Sequence, residues 1–147
     1  MNESSILNLM MSHHALLAAL LKVYRDDLFK NPKSAAEALE DFEWELDKHI
    51  FTEEKVIFRF CKPDELAACA IVKRLEQEHT IMLEMVQGLK QDLEDKAEAD
   101  AEKFEGLMLR HVAVEETELY PRLDQELSTI LKEEIIGRIN EIPMKKL

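Results

Sequence analysis

Glycine and proline are scarce, three and four in 147 residues. Both disfavour helix, glycine through backbone freedom and proline through its missing N–H. Their scarcity beside abundant Ala, Leu, Glu and Lys predicts an all-α chain. No segment alternates apolar and polar residues as a half-buried strand would, and no glycine-rich phosphate loop is present. Cysteine is limited to Cys61 and Cys69, too few and wrongly spaced for a thiolate zinc or iron–sulfur site. Both are expected as half-buried free thiols in a reducing compartment, a reversible disulfide across the Lys62-Pro63-Asp64 turn being the alternative. No apolar run approaches the ~20 residues of a membrane helix; the longest near the start covers residues 15–21. The N-terminus has no basic segment leading into an apolar one, so the expected compartment is the cytoplasm, with no membrane partner. Positive charge is outnumbered, 19 Lys and Arg against 31 Asp and Glu, a net −12. That balance argues against nucleic acid.

At this length one domain over residues 1–147 is expected, with a sizeable core. Four long helices and a short fifth can be read. The first, over residues 5–28, carries Leu7, Met10, His14, Leu17, Leu21 and Tyr24 in alternating three- and four-residue steps. Ile6, Leu9, His13, Leu16 and Leu20 do so equally well, so periodicity does not choose between His13 and His14, and two apolar faces leave room for a homodimer contact. The second is expected to open at Ser34, with Glu37 completing a capping box, and to end at Pro63. Its seam is Leu39, Phe42, Leu46, His49, Glu53, Val56 and Phe60. Asp64 is expected to cap the third, whose seam holds Leu75, His79, Met82, Val86, Leu89 and Leu93, with Gly88 a weak point. A charged run follows, its turn placed near residues 95–100. The fourth carries Phe104, Met108, His111, Glu115, Leu119 and Leu123, with a kink expected at Pro121. Ser128 is expected to cap the fifth, which runs to Ile139.

His49 and Glu53 stand four residues apart, as do His111 and Glu115, so on helices each pair stacks on one face. Glutamate is common here, and one such pair means little. The register of the copies means more: His49 to His111 is 62 residues, Glu53 to Glu115 is 62, and His14 to His79 is 65. The chain reads as two helical hairpins, each giving one histidine from its first helix and a His-Glu pair from its second. All six residues lie on stripes of Leu, Met, Phe and Val without a nearby Lys or Arg. Burying unpaired carboxylates there costs several kcal/mol, and a pair of cations would neutralise them. Four imidazoles and two carboxylates without thiolate suit two iron ions better than structural zinc, with manganese the second choice.

His14, His49-x-x-x-Glu53-Glu54, Glu78-His79 and His111-x-x-x-Glu115-Glu116-x-x-Leu-Tyr-Pro121 together resemble the hemerythrin-like (HHE cation-binding) domains, from the first helix to Pro121. The resemblance implies an antiparallel up-down four-helix bundle around a non-haem di-iron centre (Fe2+/Fe3+) with an oxo or hydroxo bridge. It makes His14, His49, His79 and His111 terminal ligands and Glu53 and Glu115 bridging ones. Glu54 and Glu116, about 100° further round the helix, become supporting or surface groups. One departure stands out. The oxygen carriers of the family have a further histidine where this chain has Leu83, and His13 and Glu118 are the nearby substitutes. Without it both irons keep an open position, which admits peroxide or nitric oxide and argues against simple oxygen storage. The six-residue set itself leads to the expectation of a non-enzymatic sensor or scavenger of dioxygen or nitric oxide, a sensor needing a separate protein partner. The competing readings are an enzyme consuming peroxide or nitric oxide, an iron donor for iron–sulfur repair, and a bundle that metal merely stabilises. A ferritin-like oxidase is weaker, since its Glu-x-x-His element occurs only once, at Glu76–His79.

Overall fold

The computed structural model describes residues 5–62, 66–92 and 94–142, the side chains of Glu94 and Asp95 aside. These residues are helical and contain no strand. Helix α1 spans Ile6–Asp27, α2 Pro32–Phe51, α3 Val72–Gln91, α4 Glu94–Val114, α5 Tyr120–Glu126 and α6 Thr129–Asn140. π-helical turns continue α2 over Thr52–Ile57 and α4 over Glu115–Leu119. A short 3-10 turn, Ala67–Ile71, leads into α3. The α1 helix packs along α2, and α3 along α4.

Helix α1 matches its expected span and buries Met10, His14, Leu17, Leu21 and Tyr24. Ser5 Oγ accepts from Asn8 N at 3.0 Å, and Asp124 caps the same end from α5, accepting from Ile6 N at 2.8 Å and Leu7 N at 3.1 Å. A carboxylate on the first free N–H groups is the favourable sign for a helix dipole. By length and average composition α1 could cross a membrane, which the count of consecutive apolar residues did not anticipate. In this fold its apolar stripe is turned onto α2 and the C-terminal helices.

Helix α2 starts earlier than the capping box suggests. Asn31 is the N-cap, its side chain accepting from Ser34 N at 3.2 Å. Pro32 occupies the first turn, where its missing N–H is not needed. The expected ends at Pro63 and Asp64, and the seam position Leu93, lie outside the described residues. Helix α4 begins at Glu94, several residues before the turn placed at 95–100. Lys96 pairs with Asp92 at 3.2 Å and Asp100 at 2.9 Å, while Ala97, Ala101 and Phe104 are buried. The charged run is therefore the outer face of an amphipathic helix. At the far end of α4 the break precedes Pro121: Tyr120 N reaches back to Glu115 O, five residues away. Phe58 N bonds Glu53 O in the same manner, where no proline stands. Both wide turns thus close on the carbonyl of a paired glutamate, and π turns recur at functional sites. Helix α6 is capped by Ser128, as expected.

Two apolar clusters fill the interior. One gathers Leu17, Leu21, Phe42, Leu46, Val86 and Phe104, with the Phe42 and Phe104 rings edge-on at 5.5 Å. The other gathers Ile6, Met10, Ile57, Leu75, Leu119, Tyr120 and Ile135. On α1 Met10 and Leu17 flank His14 and belong to different clusters, as do Leu75 and Met82 around His79. The six candidate ligands therefore occupy one level between two hydrophobic plugs, each large side chain contributing about 1.5–3 kcal/mol on burial.

Candidate metal centre

All six sequence-derived residues meet at that level and are buried, Glu53 and Glu115 completely. Two sets of donor atoms form. His14, His49, Glu53 and Glu115 make one, and Glu53, His79, His111 and Glu115 the other, with the atoms of each set within 4.8 Å of one another. Each set takes its two imidazoles from one hairpin, and both glutamates belong to both sets. The imidazoles pair accordingly, His14 with His49 and His79 with His111, each at 4.8 Å between ring centres.

The inward atoms crowd without satisfying one another. His14 Nε2 lies 3.1 Å from Glu115 Oε1, and His79 Nε2 3.0 Å from Glu53 Oε1. Yet His14 Nε2, Glu53 Oε1 and both Glu115 oxygens are buried with no hydrogen-bond partner among the described residues. His79 Nε2 and His111 Nε2 face each other at 3.1 Å. Buried polar atoms ordinarily find partners, and lone pairs aimed at a common point are what a cation requires. The donor set fits metal.

The outward nitrogens are held differently. Glu116 contacts His14 Nδ1 at 2.6 Å, Glu54 contacts His79 Nδ1 at 2.7 Å, and Glu78 contacts His111 Nδ1 at 2.8 Å. A carboxylate there orients the ring and leaves Nε2 to the interior. Glu54 and Glu116, each following a paired glutamate, do the same task at equivalent places of the repeat. Glu78 has no such counterpart. The position equivalent to it, one residue before the first-helix histidine, is His13, and His49 Nδ1 is left without a partner. Burial lowers the basicity of every one of these rings. At His49 it prevails and the pKa falls to about 3, whereas at His111 Glu115, Glu53 and Glu78 outweigh it and raise the pKa to about 9. His14 and His79 are also raised, burial again opposing but Glu115 and Glu116 prevailing at one, Glu53 and Glu54 at the other. Glu53 is lowered, since Glu115 and His79 outweigh the effect of its burial.

Two contacts were not legible in the sequence. Tyr120 donates its O–H to Glu53 Oε2, and the Phe58 ring stacks parallel on His79 at 6.0 Å. Both cross between helices, so no spacing announces them, although Tyr120 stands in the motif. Neither substitute proposed for the histidine absent at Leu83 reaches the site. His13 is half-buried beside His49, its ring centre 6.1 Å away, and Glu118 is exposed. Tyr24 lies in the cluster with Leu21 and Phe42, apart from the six donors. Cys61 and Cys69, expected as free thiols, are joined in a disulfide with 5.2 Å between Cα atoms. The 3-10 turn before α3 brings Cys69 back to the end of α2, a proximity that an eight-residue separation permits without requiring.

Two imidazole pairs sharing two buried carboxylates within a helical bundle define a cation-binding protein. The chain belongs to the hemerythrin family: residues 5–123 match the hemerythrin HHE cation binding domain. Neither a curated protein nor a solved structure matches it. Helix α6 lies beyond the matched residues and closes one apolar cluster with Ile135 and Ile139.

Proposed function

We propose that the six residues hold two iron ions and that the chain binds dioxygen or nitric oxide there, as a cytoplasmic sensor or scavenger. His14 and His49 would hold one ion, His79 and His111 the other, with Glu53 and Glu115 shared. The observation that carries this reading is the pair of overlapping donor sets whose inward atoms have no partner. Imidazole and carboxylate without thiolate favour iron among the metals, with manganese second. When bound, such a centre supplies reversible coordination of a diatomic ligand and one- or two-electron chemistry. The protein's part is positional: Glu54, Glu78 and Glu116 orient three imidazoles, Tyr120 holds Glu53, and the two apolar clusters keep water away from the buried carboxylates. The same reading takes the four long helices as an antiparallel up-down bundle in one domain, supported by the short connections at Asn31 and Asp92.

Aerobic purification followed by metal analysis, absorption spectroscopy and nitric oxide titration tests the proposal. About two irons per chain and a saturable spectral change on adding nitric oxide are expected, both lost in Glu115→Ala. Zinc alone, or no metal, would overturn it. A second reading, turnover of peroxide or nitric oxide, is favoured by Leu83 where the carriers have a histidine and by the Tyr120 O–H held inside the cage. Steady-state consumption that disappears in Glu115→Ala would select it over simple binding.

A further inference from the structure

Beside the cage, on its α3 side, lies a pocket of about 460 Å³ that the disulfide lines. Cys61 and Cys69 form part of its wall, with Arg59, Lys73 and Glu76 around them. The inner wall is Glu54 and Phe58, the two side chains that meet His79 from outside. The volume is that of a small-molecule site. Arg59, Lys73 and Glu76 are all exposed and make no side-chain ion pair or hydrogen bond among the described residues. Two cations and two anions thus line the wall around the disulfide; Glu54 is engaged by His79, while Arg59, Lys73 and Glu76 do not neutralise one another. Cys61 is half-buried and Cys69 almost wholly buried, so an incoming group reaches the Cys61 sulfur first.

We propose that this pocket is a thiol-exchange site for a small zwitterionic thiol. The carboxylate sits toward Arg59 and Lys73, the ammonium toward Glu76, and the thiolate faces Cys61. Attack of the thiolate on Cys61 Sγ forms a new S–S bond and breaks the Cys61–Cys69 bond, releasing Cys69 as thiolate four residues before Lys73. A second molecule of thiol attacks the sulfur of the first in the mixed disulfide and frees Cys61. Two thiols become one small disulfide, and the protein gains two electrons and, after protonation, two hydrogens. Rates of such exchange follow access and the charge around the attacked sulfur as well as thiolate fraction. The site depends on no property of the metal cage. Its position nevertheless puts a reductant one side chain from His79.

The test uses the full chain purified in air. Free-thiol titration is expected to find none before reduction. Exchange is then followed by mass spectrometry with free L-cysteine and with 2-mercaptoethanol, rates being expressed per thiolate. L-cysteine is expected to react about tenfold faster, the worth of two or three exposed ion pairs. Combining Arg59→Ala with Lys73→Ala, both at exposed positions, should bring the ratio of the two rates to about one, the L-cysteine rate falling more than the 2-mercaptoethanol rate. Two free thiols in the air-purified protein, equal rates for the two probes, or an advantage that survives the double substitution would each overturn the proposal. Metal content plays no part in these readouts, so failure here leaves the reading of the cage standing, and failure of the cage leaves this one.

Discussion

Tyr120 donates its phenolic O–H to Oε2 of Glu53, a residue 67 positions earlier in the chain. Tyr120 begins α5, directly after the π turn that starts at Glu115. One paired glutamate thus sets the backbone that aims a donor at the other. Replacing Tyr120 by Phe leaves a buried carboxylate oxygen without that partner. The metal-free protein should lose about 1–3 kcal/mol in urea unfolding, with its helical content intact. A loss below about 0.5 kcal/mol would mean that the phenol does not support Glu53.

The outer shell of the cage is uneven, and metal affinity should reveal it. Glu54→Gln, Glu78→Gln and Glu116→Gln each remove a charged partner from one imidazole, and each should weaken metal binding about 10- to 100-fold. His13→Glu adds a carboxylate at the position equivalent to Glu78, beside the unpartnered Nδ1 of His49. It should tighten the weaker site. Stepwise removal of metal by a competing chelator checks both: two distinct steps in the parent protein, closer together in His13→Glu.

The metal-free cage should respond to pH in a defined direction. His111 has its pKa raised from 6.5 to about 9. A raised pKa in the folded state stabilises below the unfolded value, and that contribution is lost as pH rises from 6.5 through about 9. His14 and His79 are raised as well and act in the same sense. His49, lowered to about 3, stabilises above 6.5 and loses its contribution as pH falls toward 3. The melting temperature of metal-free protein should therefore drop between pH 6.5 and 9.5. Metal loading should flatten that drop and release protons at neutral pH, measurable with an indicator dye. A metal-free melting curve independent of pH across this window would contradict the charge arrangement.

Gly88 sits within α3, where a Cβ would meet nothing within 4 Å. Its backbone has no positive φ to preserve. Gly88→Ala should stabilise the protein by about 0.5–1 kcal/mol through helix propensity and reduced freedom of the unfolded chain. Chemical denaturation measures this, and metal stoichiometry should not change. A loss of stability would show that α3 needs flexibility there.

Helix periodicity is a local property, and where it was long it was read correctly. The buried stripe of α1 is the one that contains His14, and the two His-Glu pairs stack because four residues make about one turn. Errors gathered at ends, where single residues decide. The second helix was placed from Ser34 yet starts at Pro32, and a turn was placed at residues 95–100 though Ala97, Ala101 and Phe104 bury one face of a helix there. The choice between His13 and His14 also lay beyond periodicity, since both stood on apolar arcs. Packing of α1 against α2 made it, turning His14 inward.

The sequence alone was enough to specify the helical class and the two His-Glu pairs, because each follows from spacing along a single helix, while the 62-residue register between the pairs marked the repeat. The contacts that give the cage its particular character run between helices. Glu78 reaches His111, Tyr120 reaches Glu53, His49 goes without an outer partner, and Cys61 meets Cys69. A rotation of one residue turns a side chain by about 100° and shifts it by about 1.5 Å, enough to make or lose any of these. That rotation is set jointly by the two apolar clusters and the π turns, and only the assembled fold contains it.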